Sequence, residues 1–157
     1  MEKLKGDIFE FGEQGMFDII VHGCNCFTTM GSGIAKTVRD KYPDAYKADQ
    51  LTTSGDVNKL GNYTKADVGK FTIINAYTQY NYNRGGEMLD RFEYPSFRVI
   101  LQKLLHTYGN KRIAFPMIGM GRAGGNRDRI ISLLNWFDHY VIEKGGSVTL
   151  VEYANVD

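Results

Sequence analysis

Two stretches of the chain carry residue types that could do chemistry. The first is His22-Gly23-Cys24-Asn25-Cys26-Phe27-Thr28-Thr29-Met30-Gly31-Ser32-Gly33-Ile34-Ala35, and the second is Pro116-Met117-Ile118-Gly119-Met120-Gly121-Arg122-Ala123-Gly124-Gly125-Asn126. Both are glycine-rich and both run into an apolar-periodic segment. That pattern places bare backbone N–H groups at the first turn of a helix, where unpaired donors and the positive dipole end favour a phosphate. Two such loops facing each other would hold two adjacent phosphates, as in a diphosphate. Neither is a Walker A loop, because no Gly-Lys-Ser/Thr follows. Neither is a dinucleotide fingerprint, because the first lacks its third glycine and the second comes too late in the chain.

Four side chains near these loops invite a chemical role. His22 has the one imidazole next to a glycine loop, and its ordinary pKa near 6.5 suits a general acid or base. The plainer alternative is a histidine at a strand end bonding a loop carbonyl. Arg122 could pair with a phosphate oxygen, or simply be solvated. His22, Cys24 and Cys26 alternate, so a continuing strand would turn all three to one side, as in a zinc site. The spacing is not Cys-x-x-Cys and no fourth ligand is evident, so the expectation is no metal and no cofactor.

The elements that must position these loops can be read from hydrophobic periodicity. Asp18–His22, Phe71–Asn75, Ile113–Phe115 and Val148–Val151 read as short buried strands, and Lys3–Phe9 as a weaker fifth. Ile34, Ala35, Val38 and Tyr42 share one helical face until Pro43 ends the segment. Phe97, Ile100, Leu101, Leu104, Leu105 and Tyr108 predict a second helix, with Pro95 near its start and Gly109 beyond its end. Ile130, Ile131, Leu134, Phe137 and Val141 predict a third, N-capped by Asn126 and stopped at Gly145. Strands alternating with helices imply an α/β domain with a mostly parallel sheet, whose ligands bind beyond the carboxyl ends of the strands.

Composition narrows the function classes. The chain has 157 residues, enough for one domain with a real core. Nineteen Lys and Arg balance eighteen Asp and Glu, so no bulk field draws it to a nucleic-acid polymer or an anionic membrane. Eighteen glycines stand against three prolines without any low-complexity tract, so the glycines are not a linker. The amino terminus has no signal-peptide pattern, no apolar run is long enough to span a bilayer, and the two cysteines are too close to staple. A single cytoplasmic domain acting as a monomer is the expectation.

Taken in order, Gly6-Asp7-Ile8, Asp18–Asn25, Met30–Ala35 and Pro116–Gly125 resemble the macro domains, over about residues 3 to 153. More narrowly the chain is similar to the branch holding the ADP-ribose 1″-phosphate phosphatases and the stand-alone domains that process ADP-ribose. The resemblance implies a three-layer α/β/α fold around a mixed, mostly parallel sheet. It implies that Asp7 accepts from the adenine amino group, with the Ile8 amide beside it, and that Asn25 positions the distal ribose. It also implies that Gly23, Met30, Gly31, Ser32, Gly33, Ile34 and Ala35 form one wall of the diphosphate site. Ile118, Gly119, Met120, Gly121, Arg122, Ala123 and Gly124 would form the other. A tyrosine of the Tyr77–Phe92 loop, Tyr77 in particular, would cover the adenine or act as a lid.

Departures from relatives are informative. The branch that cleaves aspartyl- or glutamyl-ADP-ribose through a lysine and an aspartate resembles Gly-Cys-Gly-Leu-Asp at the second loop. Here the aspartate position is Ala123, and no lysine lies between Phe71 and Tyr82. Another hydrolase branch has asparagine at the position of His22 and an aromatic at that of Ala123. The resemblance therefore implies binding of ADP-ribose and hydrolysis of ADP-ribose 1″-phosphate to ADP-ribose and phosphate, with His22 and Asn25 as the catalytic pair. Alternatives are an ADP-ribosyl-protein hydrolase, whose partner would be ADP-ribosylated protein, and a module that binds ADP-ribose without turnover.

Overall fold

The computed structural model describes residues 1–154; of the expected single domain 1–157, the last three residues lie outside the described residues. In chain order the elements are β1 (Glu2–Gly6), α1 (Ile8–Glu13), β2 (Ile19–Cys24), α2 (Gly33–Lys41), α3 (Pro43–Gln50), a 3₁₀ turn (Val57–Lys59), β3 (Tyr63–Asp67), β4 (Thr72–Tyr77), α4 (Tyr94–Tyr108), β5 (Arg112–Pro116), α5 (Arg127–Glu143) and β6 (Ser147–Tyr153). The six strands form one sheet in the order β1-β6-β5-β2-β4-β3. All neighbours are parallel except β3, which runs antiparallel along the edge against β4.

The sheet is covered on both faces, as its near-continuous apolar strands require. One face packs Ile19, Val21, Ile74, Ile113, Phe115, Val148 and Leu150 against Phe97, Ile100, Leu101 and Leu104 of α4 and Ile130, Leu134, Phe137 and Val141 of α5. The other packs Ile20, Cys24, Ile73, Tyr77 and Ala114 against α1, α2 and α3 through Phe9, Val38 and Ala45. This is the three-layer α/β/α arrangement expected from the sequence.

Several elements depart from the periodicity reading, each for a local reason. The weak strand expected over Lys3–Phe9 stops at Gly6, because the Asp7 side chain accepts from Phe9 N at 2.9 Å and Glu10 N at 3.3 Å and so caps α1. Pro43 ends α2, as expected, and also occupies the first position of α3, where its missing N–H costs nothing. The edge strand β3 is short and carries Lys65 and Asp67 outward, a polar pattern that hides it from a hydrophobic search. Asn126 does cap α5, accepting from Arg129 N at 3.0 Å.

Candidate functional site

Because β2, β4 and β5 are parallel neighbours, the loops that follow them emerge at the same edge of the sheet. Together with the start of α1 they enclose a cleft of about 940 Å³, a volume suited to a nucleotide-sized ligand. Of the residues expected to bind, Asp7, Ile8, Gly23, Asn25, Met30, Gly31, Ser32, Gly33, Ile34, Ala35, Ile118, Gly119, Gly121, Arg122 and Ala123 line it.

The first loop is shaped by its own side chains. Asn25 accepts from Phe27 N through Oδ1 at 2.8 Å and donates from Nδ2 to Thr29 Oγ1 at 2.8 Å. Thr28 and Met30 both hold left-handed backbone, at φ 57° and 39°, which non-glycine residues avoid unless their surroundings impose it. Gly33 follows at φ 59°, and nothing lies within 4 Å of where a Cβ would sit, so its bare backbone faces open space. Ser32 occupies the cap position of α2 without making a side-chain cap bond. Beyond Phe27, the first main-chain N–H with a partner is that of Lys36, which donates to Ser32 O at 3.3 Å. The amides of Gly31, Ser32, Gly33, Ile34 and Ala35 thus have no acceptor among the described residues, at the positive end of a nine-residue helix.

The second loop spends more of its amides on itself. Ile118 N donates to Pro116 O at 2.6 Å, Met120 N to Met117 O at 3.2 Å and Gly124 N to Gly121 O at 3.0 Å. The expectation that every amide from Ile118 to Gly124 serves a ligand is corrected accordingly. Gly119, Gly121, Arg122 and Ala123 keep theirs unpaired among the described residues. Met120 and Gly124 do not line the cleft, and Met120 packs against the core under α4 and α5. Gly119 sits at φ 72° with the Phe92 ring where a Cβ would go, so no larger residue fits this turn.

Two further expected residues lie elsewhere. His22 is fully buried and does not line the cleft. Its Nε2 is 2.6 Å from Asn75 Oδ1, and Asn75 Nδ2 donates to Ala45 O at 2.9 Å and Thr64 Oγ1 at 3.0 Å. That network makes Nε2 the protonated nitrogen of a neutral ring. Burial lowers the His22 pKa to about 4, with the Asn75 bond opposing. The acid–base role expected of it is corrected to that of a strut between β2, β4 and α3. Tyr77 is likewise no lid. It ends β4 with its ring in the core, and its hydroxyl donates to Asp49 Oδ1 at 2.7 Å beside Thr64 Oγ1 at 3.0 Å. Of His22, Cys24 and Cys26, only the first two meet, with Cys24 Sγ 3.7 Å from His22 Nε2, while Cys26 Sγ turns to Gln79 O. Both thiols are free and buried, and burial pushes each pKa up.

The structure adds residues that periodicity could not supply. Thr78, Gln79, Tyr82, Asn83, Arg84 and Gly85 bring the tyrosine-rich loop to the cleft, with the Arg84 guanidinium 5.2 Å from the Tyr82 ring centroid. That loop's unusual composition was the available signal. Asp49, on α3, also reaches the wall, and burial raises its pKa. It belongs to no motif, and only the fold brings it there.

A six-stranded mixed sheet between helical layers, with two glycine loops beyond its strand ends, is the macro domain fold, shared with the solved macrodomains described below. No family profile matches the chain. It is 36% identical over 143 residues to an uncharacterised 17.5 kDa protein of Enterobacteria phage T4 from the tk-vs intergenic region, covering 85% of this chain and 87% of that one. An ADP-ribose 1″-phosphate phosphatase of Debaryomyces hansenii is 39% identical over 57 residues, 34% of this chain and 32% of that protein. Among solved structures, a protein from Bacteroides thetaiotaomicron superposes with a TM-score of 0.77 at 21% identity, covering 97% of this chain and 98% of the other. The macrodomain of Thermus aquaticus DarG gives 0.67 at 18% identity, covering 98% and 97%. Thermosipho africanus DarTG, solved with ADP-ribose, gives 0.66 at 15% identity over 97% of this chain and 42% of that one. Among the described residues, no helix is long and apolar enough to cross a membrane.

Proposed function

We propose that the cleft binds ADP-ribose and hydrolyses the terminal phosphomonoester of ADP-ribose 1″-phosphate. The observation that carries the binding is the set of nine amides on two loops that are unpaired among the described residues, five from Gly31–Ala35 and four from Gly119, Gly121, Arg122 and Ala123. Both loops line one cleft, which suits a diphosphate held between them. Among the described residues Asp7 Oδ2 accepts no hydrogen bond, Oδ1 alone capping α1, so a carboxylate oxygen remains for an adenine amino group. A carboxylate accepts there and rejects a keto oxygen, which selects adenine over guanine. A macrodomain relative solved with ADP-ribose and a fungal relative named for the phosphatase support the reading.

Withdrawing His22 does not remove the chemistry. Phosphoryl transfer passes through a loose transition state whose charge lies on the equatorial oxygens, so positioning and electrostatic stabilisation supply most of the rate. In the proposed step the oxygen of a water molecule bonds to phosphorus, the bond from phosphorus to the 1″ oxygen breaks, and one water proton passes to that oxygen while the other stays with the phosphate. The products are ADP-ribose and inorganic phosphate. Arg122, exposed and lining the cleft, is a cation available to the developing charge. Asn25 orients the distal ribose. The ester-cleaving route through lysine and aspartate has no equivalent here, since Ala123 stands at the aspartate position and no lysine lies between Phe71 and Tyr82.

Incubation with ADP-ribose 1″-phosphate, with released phosphate measured against a buffer control, tests the activity. Release that saturates with substrate supports the enzyme. Binding of ADP-ribose without any release reduces the protein to a reader of the nucleotide.

A further inference from the structure

Thr78, just beyond the end of β4, buries a hydroxyl beside the cleft. Its side chain is 1% exposed and its Oγ1 has no hydrogen-bond partner, the only buried side-chain polar atom among the described residues in that condition. A buried hydroxyl left unpaired costs about 1–3 kcal/mol, and a valine of the same shape would avoid that cost. The residue nevertheless lines the cleft.

Its position shows which part of a ligand it meets. The β2–β4 register pairs Cys24 with Tyr77, and Thr78 N donates to Cys24 O at 3.3 Å, so Thr78 stands level with Asn25 one step beyond the sheet. The hydroxyl lies 2.9 Å from where a Cβ on Gly23 would sit, a place a larger residue would share with the Ile118 side chain; glycine leaves that side of the hydroxyl uncovered. The strand order then maps the ligand. Asp7 follows β1 at one side of the sheet, the diphosphate loops follow β5 and β2, and Thr78 follows β4 on the far side of β2. A nucleotide with its adenine at Asp7 and its diphosphate between the loops must put its distal end beside Asn25 and Thr78.

We propose that Thr78 is a specificity residue whose hydroxyl pairs with an oxygen of the distal ribose, so that the cleft distinguishes ADP-ribose from ADP. The inference rests on the reading of the cleft as an ADP-ribose site. A hydroxyl can donate and accept, so it matches a sugar oxygen in either role.

The test is calorimetric titration of wild-type protein, Thr78→Val and Thr78→Ser with ADP-ribose and with ADP, alongside thermal unfolding of each. Thr78→Val is expected to keep or raise the thermal midpoint, to bind ADP as wild type does, and to bind ADP-ribose roughly tenfold more weakly. Thr78→Ser restores the ADP-ribose affinity. Unchanged ADP-ribose affinity in Thr78→Val, or an equal loss for both nucleotides, overturns the assignment. Wild-type protein that binds neither nucleotide overturns the cleft reading itself, which is a separate outcome.

Discussion

Asn83 donates from Nδ2 to the main-chain carbonyl of Arg122 at 2.8 Å, tying the tyrosine-rich loop to the second glycine loop. The same side chain donates to Leu89 O at 2.8 Å and accepts from Arg91 Nε at 3.2 Å, while Arg91 N donates to Ala123 O at 2.7 Å. A trans peptide points its N–H opposite its C=O, so holding the Arg122 carbonyl toward Asn83 turns the Ala123 N–H the other way. Residues that never touch a phosphate thus set the direction of one that would.

Asn83→Ala removes the bonds to Arg122 and Leu89 together. Its expected effect is roughly a tenfold weaker affinity for ADP-ribose by calorimetry, because the second loop loses its fixed orientation. An affinity equal to wild type would show that the loop holds its shape without the clasp.

Tyr77 and Tyr82 should separate cleanly. Tyr77→Phe deletes the hydroxyl that serves Asp49 and Thr64, and should lower stability by about 1–3 kcal/mol in denaturant unfolding. It should leave ADP-ribose affinity unchanged, since the ring lies in the core. Tyr82→Ala should do the reverse, weakening ADP-ribose binding with little change in stability.

His22 predicts an acid-side loss of stability. Its folded pKa of about 4 lies below the ordinary 6.5, so the unfolded chain takes up a proton that the folded protein refuses. Stability is therefore intact above about pH 6.5 and falls as pH drops toward 4, by about 3 kcal/mol over the window. Thermal midpoints between pH 7 and 4 should show the decline, and His22→Gln should flatten it. A wild-type midpoint that does not fall across that range would mean the imidazole is protonated in the fold.

Arg122→Met keeps the length of the side chain and removes its charge. It should slow phosphate release from ADP-ribose 1″-phosphate by about 10²-fold while ADP-ribose binding changes little, the pattern of a group that acts on developing charge. Equal losses in binding and rate would place Arg122 on the ground-state diphosphate instead.

The sequence made the main architecture legible where burial is two-sided and strong. Ile19–Val21 and Ile73–Ile74 have apolar runs that only a covered parallel sheet explains, and the α4 and α5 faces repeat with helical period. The glycine loops were legible because their amides need no side chain. What failed was direction across the sheet. His22 and Gly23 are adjacent in sequence, yet successive strand residues face opposite sides, so glycine lines the cleft and histidine lies under α3. Tyr77 and Thr78 divide in the same way at the end of β4. Long-range arrivals such as Asp49 and the Asn83 clasp have no local pattern at all, because contact across the fold creates them.

The convergence of two loops on one diphosphate is tested most directly by titrating ADP-ribose into wild-type protein and Gly33→Glu in a calorimeter. The account predicts one saturable site per wild-type chain. It predicts no measurable binding to the variant, whose carboxylate would project into the phosphate position from a backbone already at φ 59°. Equal binding by both proteins, or none by the wild type, would contradict it.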